Sequence, residues 1–391
     1  MEPIVAKTTS TFSKMINRVL NLEQSLFPQL KELLRLEEFS SKEQKLITIL
    51  DFAEIEKNIS VVCITKRPKD REEIARAFIA KSIYNIQTTR DLIDRLHIDR
   101  TLRILCGWRY KTDIPSESKF SRVFQELSKI EIAQKTHKQF VLSYLSKKTF
   151  FYNATDATKI PLREKVVKVD KVKTKLRKRG RPRKGETREP IEPSILQKQK
   201  EMSTVDEMLS LVSTACGAGI KQNSKGNREV WIGGKLHISA VDGDIPITAF
   251  YSGANVHDSS VALPLMKETS SRVTYLYDLQ DAGYDADIIR DFSNKLGHRP
   301  IIDINPKNSQ LLKDKIELIK HEKETFQYLN MHLNLDKEHY NQRSMVERVN
   351  KYLKDDFGCD KIYYQGATKV ASVLSFAILA ICIHQSLKLV T

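Results

Sequence analysis

The sequence predicts an α/β domain preceded by an all-helical N-terminal region. Three observations carry that expectation. Apolar residues recur at helical spacing over the first 147 residues or so. From residue 150 onward, strand-like and helix-like segments alternate. A strongly basic stretch separates the first of those strands from the rest.

The helical region is read from RVLNLEQSLFPQLKELLRL (18–36) and EEIARAFIAKSIYNI (72–86), both with apolar positions three and four apart. Thr89 with Asp91 marks a helix start ahead of DLIDRL, and Ser116 after Pro115 marks another ahead of 117–130. The link from Gly107 to Ser116 is too long for a helix-turn-helix turn of about 3–4 residues. A bundle used for assembly and a bundle that touches DNA both remain open.

The aromatic, β-branched run 150–160 reads as a strand that carries Asp156 near its end. KLHISAV and IPITAFY flank Asp242-Gly243-Asp244, a hairpin signature. Beyond it, 259–269 reads as a helix, 273–279 as a buried strand, 285–296 as a helix and 298–305 as a strand. Residues 310–333 are helical or irregular, and 342–356 form a clear helix. Val370 to Ile383, about 14 apolar residues broken by Ser372 and Ser375, is too short for a bilayer that needs roughly 20 and reads as a buried helix.

Composition narrows the partner. The chain has 391 residues, of which 40% are hydrophobic and 29% charged, which excludes a disordered tail protein and a membrane bundle. Lys and Arg number 65 against 49 acids, a net +16 that calls for a polyanion. Most of that excess lies in 163–184, where twelve Lys/Arg face two acids, so this segment should be a solvated loop. The five cysteines are widely spaced, with no C-x-x-C pair, which argues for a reducing compartment. MEPIVAKTTS has no apolar core of a secretory signal. The basic run has no apolar helical face, so a membrane surface is a poor partner.

Three constellations carry chemistry. First, Asp156, Asp281 ahead of a Gly-containing turn, and Glu347 on a later helix are carboxylates that an α/β sheet can bring together. Converging oxygens suit hard divalent cations, and a pair of such ions serves phosphoryl transfer. Each alone has an ordinary explanation, a turn or cap for the aspartates and a surface ion pair for Glu347 four residues after Arg343. Second, Tyr340, Arg343, Glu347 and Lys354 fall within roughly 60° of one another on an ideal helix, opposite Met345, Val349, Tyr352 and Leu353. The stripe offers a ring for stacking, two cations for phosphate and a carboxylate, or else it is a solvated face. Third, Arg179, Arg181, Arg183 and Lys184 lie in an extended Arg-Gly-Arg-Pro segment. It is narrow enough for an A·T-rich minor groove, or it is a linker that binds phosphate without sequence preference. Asp258 beside His257 is better explained as a helix N-cap. Asp278 and Asp285 are rivals of Asp281, with Asp278 expected on the other face of its strand.

These residues resemble bacterial insertion-sequence transposases of the DDE type, in the subgroup with a Y-x2-R-x3-E-x6-K signature. Here that signature is Tyr340, Arg343, Glu347 and Lys354. TDATKI at 155–160, NVHDS at 255–259, DAGYDA at 281–286 and the basic KRGRPRKG insertion are also similar to that family, over about 148 to the end. LRILCGW and IPSESKFSRVFQEL resemble its helical domain less distinctively. The resemblance implies an RNase H-like mixed sheet flanked by helices over 148–391, with a basic insertion at about 160–228, after a helical domain over 1–147. It implies that Asp156, Asp281 and Glu347 bind metal, two Mg²⁺ ions with Mn²⁺ as substitute. Arg343 and Lys354 would contact phosphates of the transposon end, and Tyr340 would hold the end or a displaced base. The expected substrate is double-stranded DNA, terminal inverted repeats and target, bound by a dimer in the bacterial cytoplasm at the nucleoid. The expected reaction is cut-and-paste transposition. The alternatives are a metal-dependent nuclease of the same fold without strand transfer, and a catalytically silent DNA-binding descendant.

Overall fold

The structure is a computed structural model that describes residues 39–62, 70–167, 192–222, 226–306, 309–311, 313–314, 317–318 and 335–389. The expected helix over 18–36 lies outside these residues. The helical region is built from α1 (Ser41–Ala53), α2 (Ile55–Val62), α3 (Arg71–Ile83), α4 (Thr89–Ile98), α5 (Arg100–Cys106), α6 (Glu117–Lys129) and α7 (Ile132–Tyr144). The α4 cap is Thr88, one residue before the expected start, and its side chain accepts from the Asp91 N–H. Ser116 does occupy the N-cap position of α6, without a side-chain bond.

A mixed sheet follows, made of β1 (Thr149–Pro161), β2 (Gly217–Gln222), β3 (Arg228–Val241), β4 (Ile245–Gly253), β5 (Thr274–Gln280) and β6 (Arg299–Ile302). β1 lies at its centre, antiparallel to β3 on one side and parallel to β5 on the other, with β6 parallel beyond β5. β2 pairs with the first part of β3 and β4 with the second. The β3–β4 hairpin turns at Asp242–Asp244 as expected, with Gly243 and Asp244 at φ +82° and +60°. The left-handed backbone there suits a glycine and tolerates an aspartate. β2, α8 (Ile195–Glu201) and α9 (Val205–Ser210) occupy the part of the expected insertion beyond its basic run, where the sequence predicts no element. α10 (Ala262–Arg272) and α11 (Asp287–Lys295) are the crossover helices that parallel strands require. This is the RNase H-like mixed sheet with flanking helices.

The C-terminal helix α14 (Ala367–Lys388) is longer than the expected 14 residues, at 22. By length and composition it is apolar enough to cross a membrane, yet 78% of its most apolar window is buried within this fold. It is hydrophobic on all sides because it has neighbours on all sides. β4 lies against it, and so do α1, α3, α6 and α7. Phe376 stacks on Phe78 of α3 at 5.8 Å, and Phe78 on Phe124 of α6 at 4.1 Å. One apolar core therefore runs from the helical region through α14 to the sheet. Each large aliphatic side chain fully buried there contributes about 1.5–3 kcal/mol. Cys106, Cys216, Cys359 and Cys382 are free and buried.

Candidate active site

The register of β1 against β5 brings the two aspartates together. Their parallel pairing runs from Thr149 opposite Thr274 to Thr155 opposite Gln280. The next residue on each strand is Asp156 and Asp281. β5 stops there, because the Asp281 carboxylate accepts the Gly283 N–H at 2.9 Å and caps a short turn, Ala282–Tyr284. β1 does not stop, contrary to the expectation that Asp156 sits near a strand end. It continues to Pro161 on β3, so Asp156 is mid-strand where its neighbour departs. The carboxyl ends of parallel strands are where α/β sheets open toward ligands.

Alternation sorts the rivals. Asp278 lies on the opposite face, fully buried, where Asn153 Nδ2 donates to Oδ1 at 2.9 Å and Ser293 Oγ to Oδ2 at 3.0 Å. Asp285 is held by Arg290 Nη2 at 2.8 Å and by the Asn305 N–H at 2.8 Å. Asp258 is not the cap it was expected to be. His257 occupies the N-cap and Asp258 accepts from Lys235 Nζ at 2.8 Å.

The polar stripe is not one continuous helix. α12 (Leu335–Asn341) ends at a turn, and α13 (Ser344–Lys351) begins after Arg343. A π-helical turn, Tyr352–Asp356, then carries Lys354. Such turns cluster at functional sites. Met345, Val349 and Leu353 of the expected packing face are buried and Val346 joins them, whereas Tyr352 is only half-buried. α12 is pinned to the sheet by His339. This residue bonds the Tyr152 hydroxyl through Nδ1 at 2.6 Å and stacks on Tyr277 at 4.5 Å.

The pinned segment delivers Tyr340 and Arg343. The Tyr340 hydroxyl donates to Asp303, and its pKa is raised, first by burial and then by that carboxylate. The Arg343 guanidinium lies 5.7 Å from the Tyr340 ring centre and reaches Glu347 Oε1 at 2.5 Å. Glu347 is exposed and thus makes the i,i+4 ion pair that its spacing allows.

Burial raises the Asp156 pKa to about 6, and the charge of Asp281 adds to the rise. The Ala157 backbone N–H, Arg343 and Lys221 oppose it. Burial works against the Arg343 charge as well, but Tyr340, Glu347, Asp156 and Asp281 outweigh it and raise its pKa. Burial lowers the Lys354 pKa, with Lys159 and Lys221 adding to the fall against Asp360 and Asp156. Arg343 therefore feels all three candidate carboxylates, and Lys354 belongs to a lysine cluster beside Asp156.

Among the described residues no three carboxylates are already gathered as a cage. The donor set still fits a hard divalent cation. Asp156 and Asp281 offer oxygen alone and repel one another, a repulsion that a cation relieves, and Glu347 is held on Arg343. Sequence reasoning missed Asn350, whose Nδ2 donates to Asp156 Oδ2 at 2.9 Å. Its place three residues after Glu347 is the signal that points to it. Asp303 was missed too, although it directly follows the last parallel strand. Arg179, Arg181, Arg183 and Lys184 lie outside the described residues.

The transposase DDE domain family matches residues 156–383, more than half of the chain. This chain belongs to the DDE transposases of insertion sequences. A second family, described as a transposase domain (DUF772), matches residues 31–126, the helical region. No curated relative matches the chain. The transposase match begins at Asp156 itself and runs through most of α14. The helix that ties the helical region to the sheet is thus part of the matched domain. Members of this family act on DNA with divalent metal ions.

Proposed function

We propose that this transposase excises its element by cutting at the terminal inverted repeats and joins the freed ends to target DNA. The observation that carries this reading is the register that sets Asp156 beside Asp281 under a helix bearing Glu347. These three carboxylates are the ones that would hold Mg²⁺ or Mn²⁺, two ions in all. Bound there, the metal would activate the attacking oxygen and stabilise the leaving one. In the first reaction water attacks a phosphodiester, the P–O3′ bond breaks and a 3′-hydroxyl is released. In the second, that hydroxyl attacks another phosphodiester, a new P–O bond forms as that strand's P–O3′ bond breaks and its 3′-hydroxyl leaves, so no covalent enzyme intermediate is needed.

The chain's own groups position the DNA. Arg343 and Glu347 neutralise one another until each takes its own ligand, a phosphate for the guanidinium and a cation for the carboxylate. Lys354, its charge disfavoured by burial, is suited to a second phosphate. Tyr340, fixed by Asp303, supplies a ring against the transposon end. This set makes up the Y-R-E-K signature. Arg179, Arg181, Arg183 and Lys184 grip flanking duplex. Residues 1–147 serve end recognition and assembly, and 148–391, with the basic insertion at about 160–228, serve the chemistry. Joining two ends calls for two protomers on DNA.

End cleavage tests the reading. Purified protein is mixed with labelled element ends, with Mg²⁺ or EDTA, beside Asp156→Asn. Metal-dependent cuts that vanish in the variant and go on to joined products support it. Cuts without joining indicate a nuclease, and binding without cutting a silent descendant.

A further inference from the structure

We infer that Asn350 is a positioning residue for Asp156, an uncharged clamp that fixes how the first carboxylate is presented to a cation. The inference rests on the reading of Asp156 as a cation ligand. Asn350 is only 8% exposed, on a helix face otherwise filled by Val346, Val349 and Leu353. A helix that merely packs there would carry another aliphatic residue, since a buried amide costs stability unless it is bonded and Asn disfavours helix interiors. Its Nδ2 donates to Asp156 Oδ2 at 2.9 Å. Its Oδ1 is buried without a hydrogen-bond partner among the described residues. Asp156 is therefore the one partner this amide has among the described residues, and its carbonyl goes unpaired.

The choice of an amide is informative. A lysine or arginine at 350 would orient Asp156 but would also neutralise it and repel a cation. An amide orients without adding charge, and it stays a donor at every pH. Glu347 and Asn350 stand three apart on α13, so one turn of helix carries both the third carboxylate and the clamp on the first. Partners that orient ligating carboxylates change metal affinity by about 10–100-fold when removed.

The test measures Mn²⁺ binding directly, by calorimetry on the full chain without DNA. Wild type, Asn350→Ala, Asn350→Leu and Asp156→Asn are compared, and thermal unfolding in EDTA is followed for each. Leucine keeps the branched outline of asparagine, though it is bulkier, but cannot donate. Both Asn350 variants should fold, bind Mn²⁺ about 10–100-fold more weakly, and raise the Mg²⁺ needed for half-maximal end cleavage by a similar factor, with DNA affinity little changed. Binding within twofold of wild type in both variants would overturn the inference. So would a defect in the alanine variant that leucine restores, or unfolding of both, since either shows a packing role. If Asp156→Asn itself binds Mn²⁺ like wild type, the cation-ligand reading of Asp156 fails first, and the two failures are told apart.

Discussion

Arg343 and Glu347 face one another across a single helical turn, with the guanidinium nitrogen 2.5 Å from the carboxylate oxygen. An exposed pair of this kind contributes little to stability, about 0.3–0.5 kcal/mol, so its value lies in what each group can exchange for the other. Glu347→Gln should keep the helix and most DNA affinity but reduce metal-dependent end cleavage by more than about 100-fold. Parallel gel-shift and cleavage assays measure both. Unchanged cleavage would remove Glu347 from the site.

The raised pKa of Asp156 makes a pH prediction for the metal-free protein. The folded group titrates at about 6 against an ordinary 3.8. Between those values the folded state holds a proton that the unfolded state has lost. The stabilisation is therefore complete below about pH 4 and is lost as pH rises through about 6. Asp156→Asn stays neutral throughout. It should match wild type in EDTA near pH 4 and exceed it above pH 6.5 by about 1–3 kcal/mol, a shift of a few degrees in Tm. Thermal melts in EDTA from pH 4 to 8 read the difference. A constant offset between the two proteins would show that Asp156 titrates normally.

The candidate site was largely legible from residue types, and its assembly was not. Asp281 stands out because it precedes a Gly turn, and Tyr340, Arg343, Glu347 and Lys354 because their spacing is helical. Which aspartate of β5 meets Asp156 depends on long-range strand register, which no local pattern encodes. The same holds for the helical stripe. Periodicity located its packing face but not the turn at Arg343 or the π turn at Lys354, since both depend on what the segment docks against. β2 was hidden because its short GAGIKQ run has a single large apolar residue, Ile220, which is exposed, as are Val230 and Ile232 on the β3 segment it pairs with. Asn350 escaped notice because its spacing from Glu347 gains meaning only once its bond to Asp156 is seen.

Arg348 holds the β3–β4 hairpin to α13. Its Nε lies 3.0 and 2.9 Å from the two Asp244 carboxylate oxygens, and Nη2 lies 2.7 Å from Oδ1. Asp244→Asn keeps the side chain that tolerates φ +60° but removes the charge. It should lower stability by about 1 kcal/mol. Because Arg348 is next to Glu347, it should also slow end cleavage severalfold at temperatures well below Tm. Cleavage within twofold of wild type would confine the clamp to stability.

The basic segment is best tested from residue 168 onward, because the residues just before it are tied down. Glu164 accepts the Gly366 N–H at the start of α14, and the Val167 N–H bonds the Cys216 carbonyl. Replacing 168–184 by a neutral linker should weaken DNA binding. It should also flatten the plot of log K against log salt, by about 0.9 for each phosphate that the segment neutralises in the wild type. Changing Arg179 and Arg181 to Lys should keep the slope. If the segment enters an A·T-rich minor groove, the double change should abolish A·T preference; wild-type binding that is equal on A·T and G·C sequences would assign it to phosphate alone.

Lys354 sits where the helix widens, with the Phe357 N–H bonded to the Tyr352 carbonyl, five residues back, at 3.1 Å. Burial and the nearby Lys159 and Lys221 lower its pKa. A half-buried ammonium that has lost part of its hydration gains more from a phosphate than a free surface lysine does. Lys354→Ala should therefore reduce processing at the element's own ends by about 10-fold or more while weakening nonspecific DNA binding much less. Lys354→Arg should recover part of the loss. Its deprotonation should also bring the alkaline fall of cleavage to a lower pH than an ordinary lysine would give, a limb that Lys354→Arg moves back up. Equal losses in end processing and nonspecific binding would mean that Lys354 is one more cation in a diffuse field.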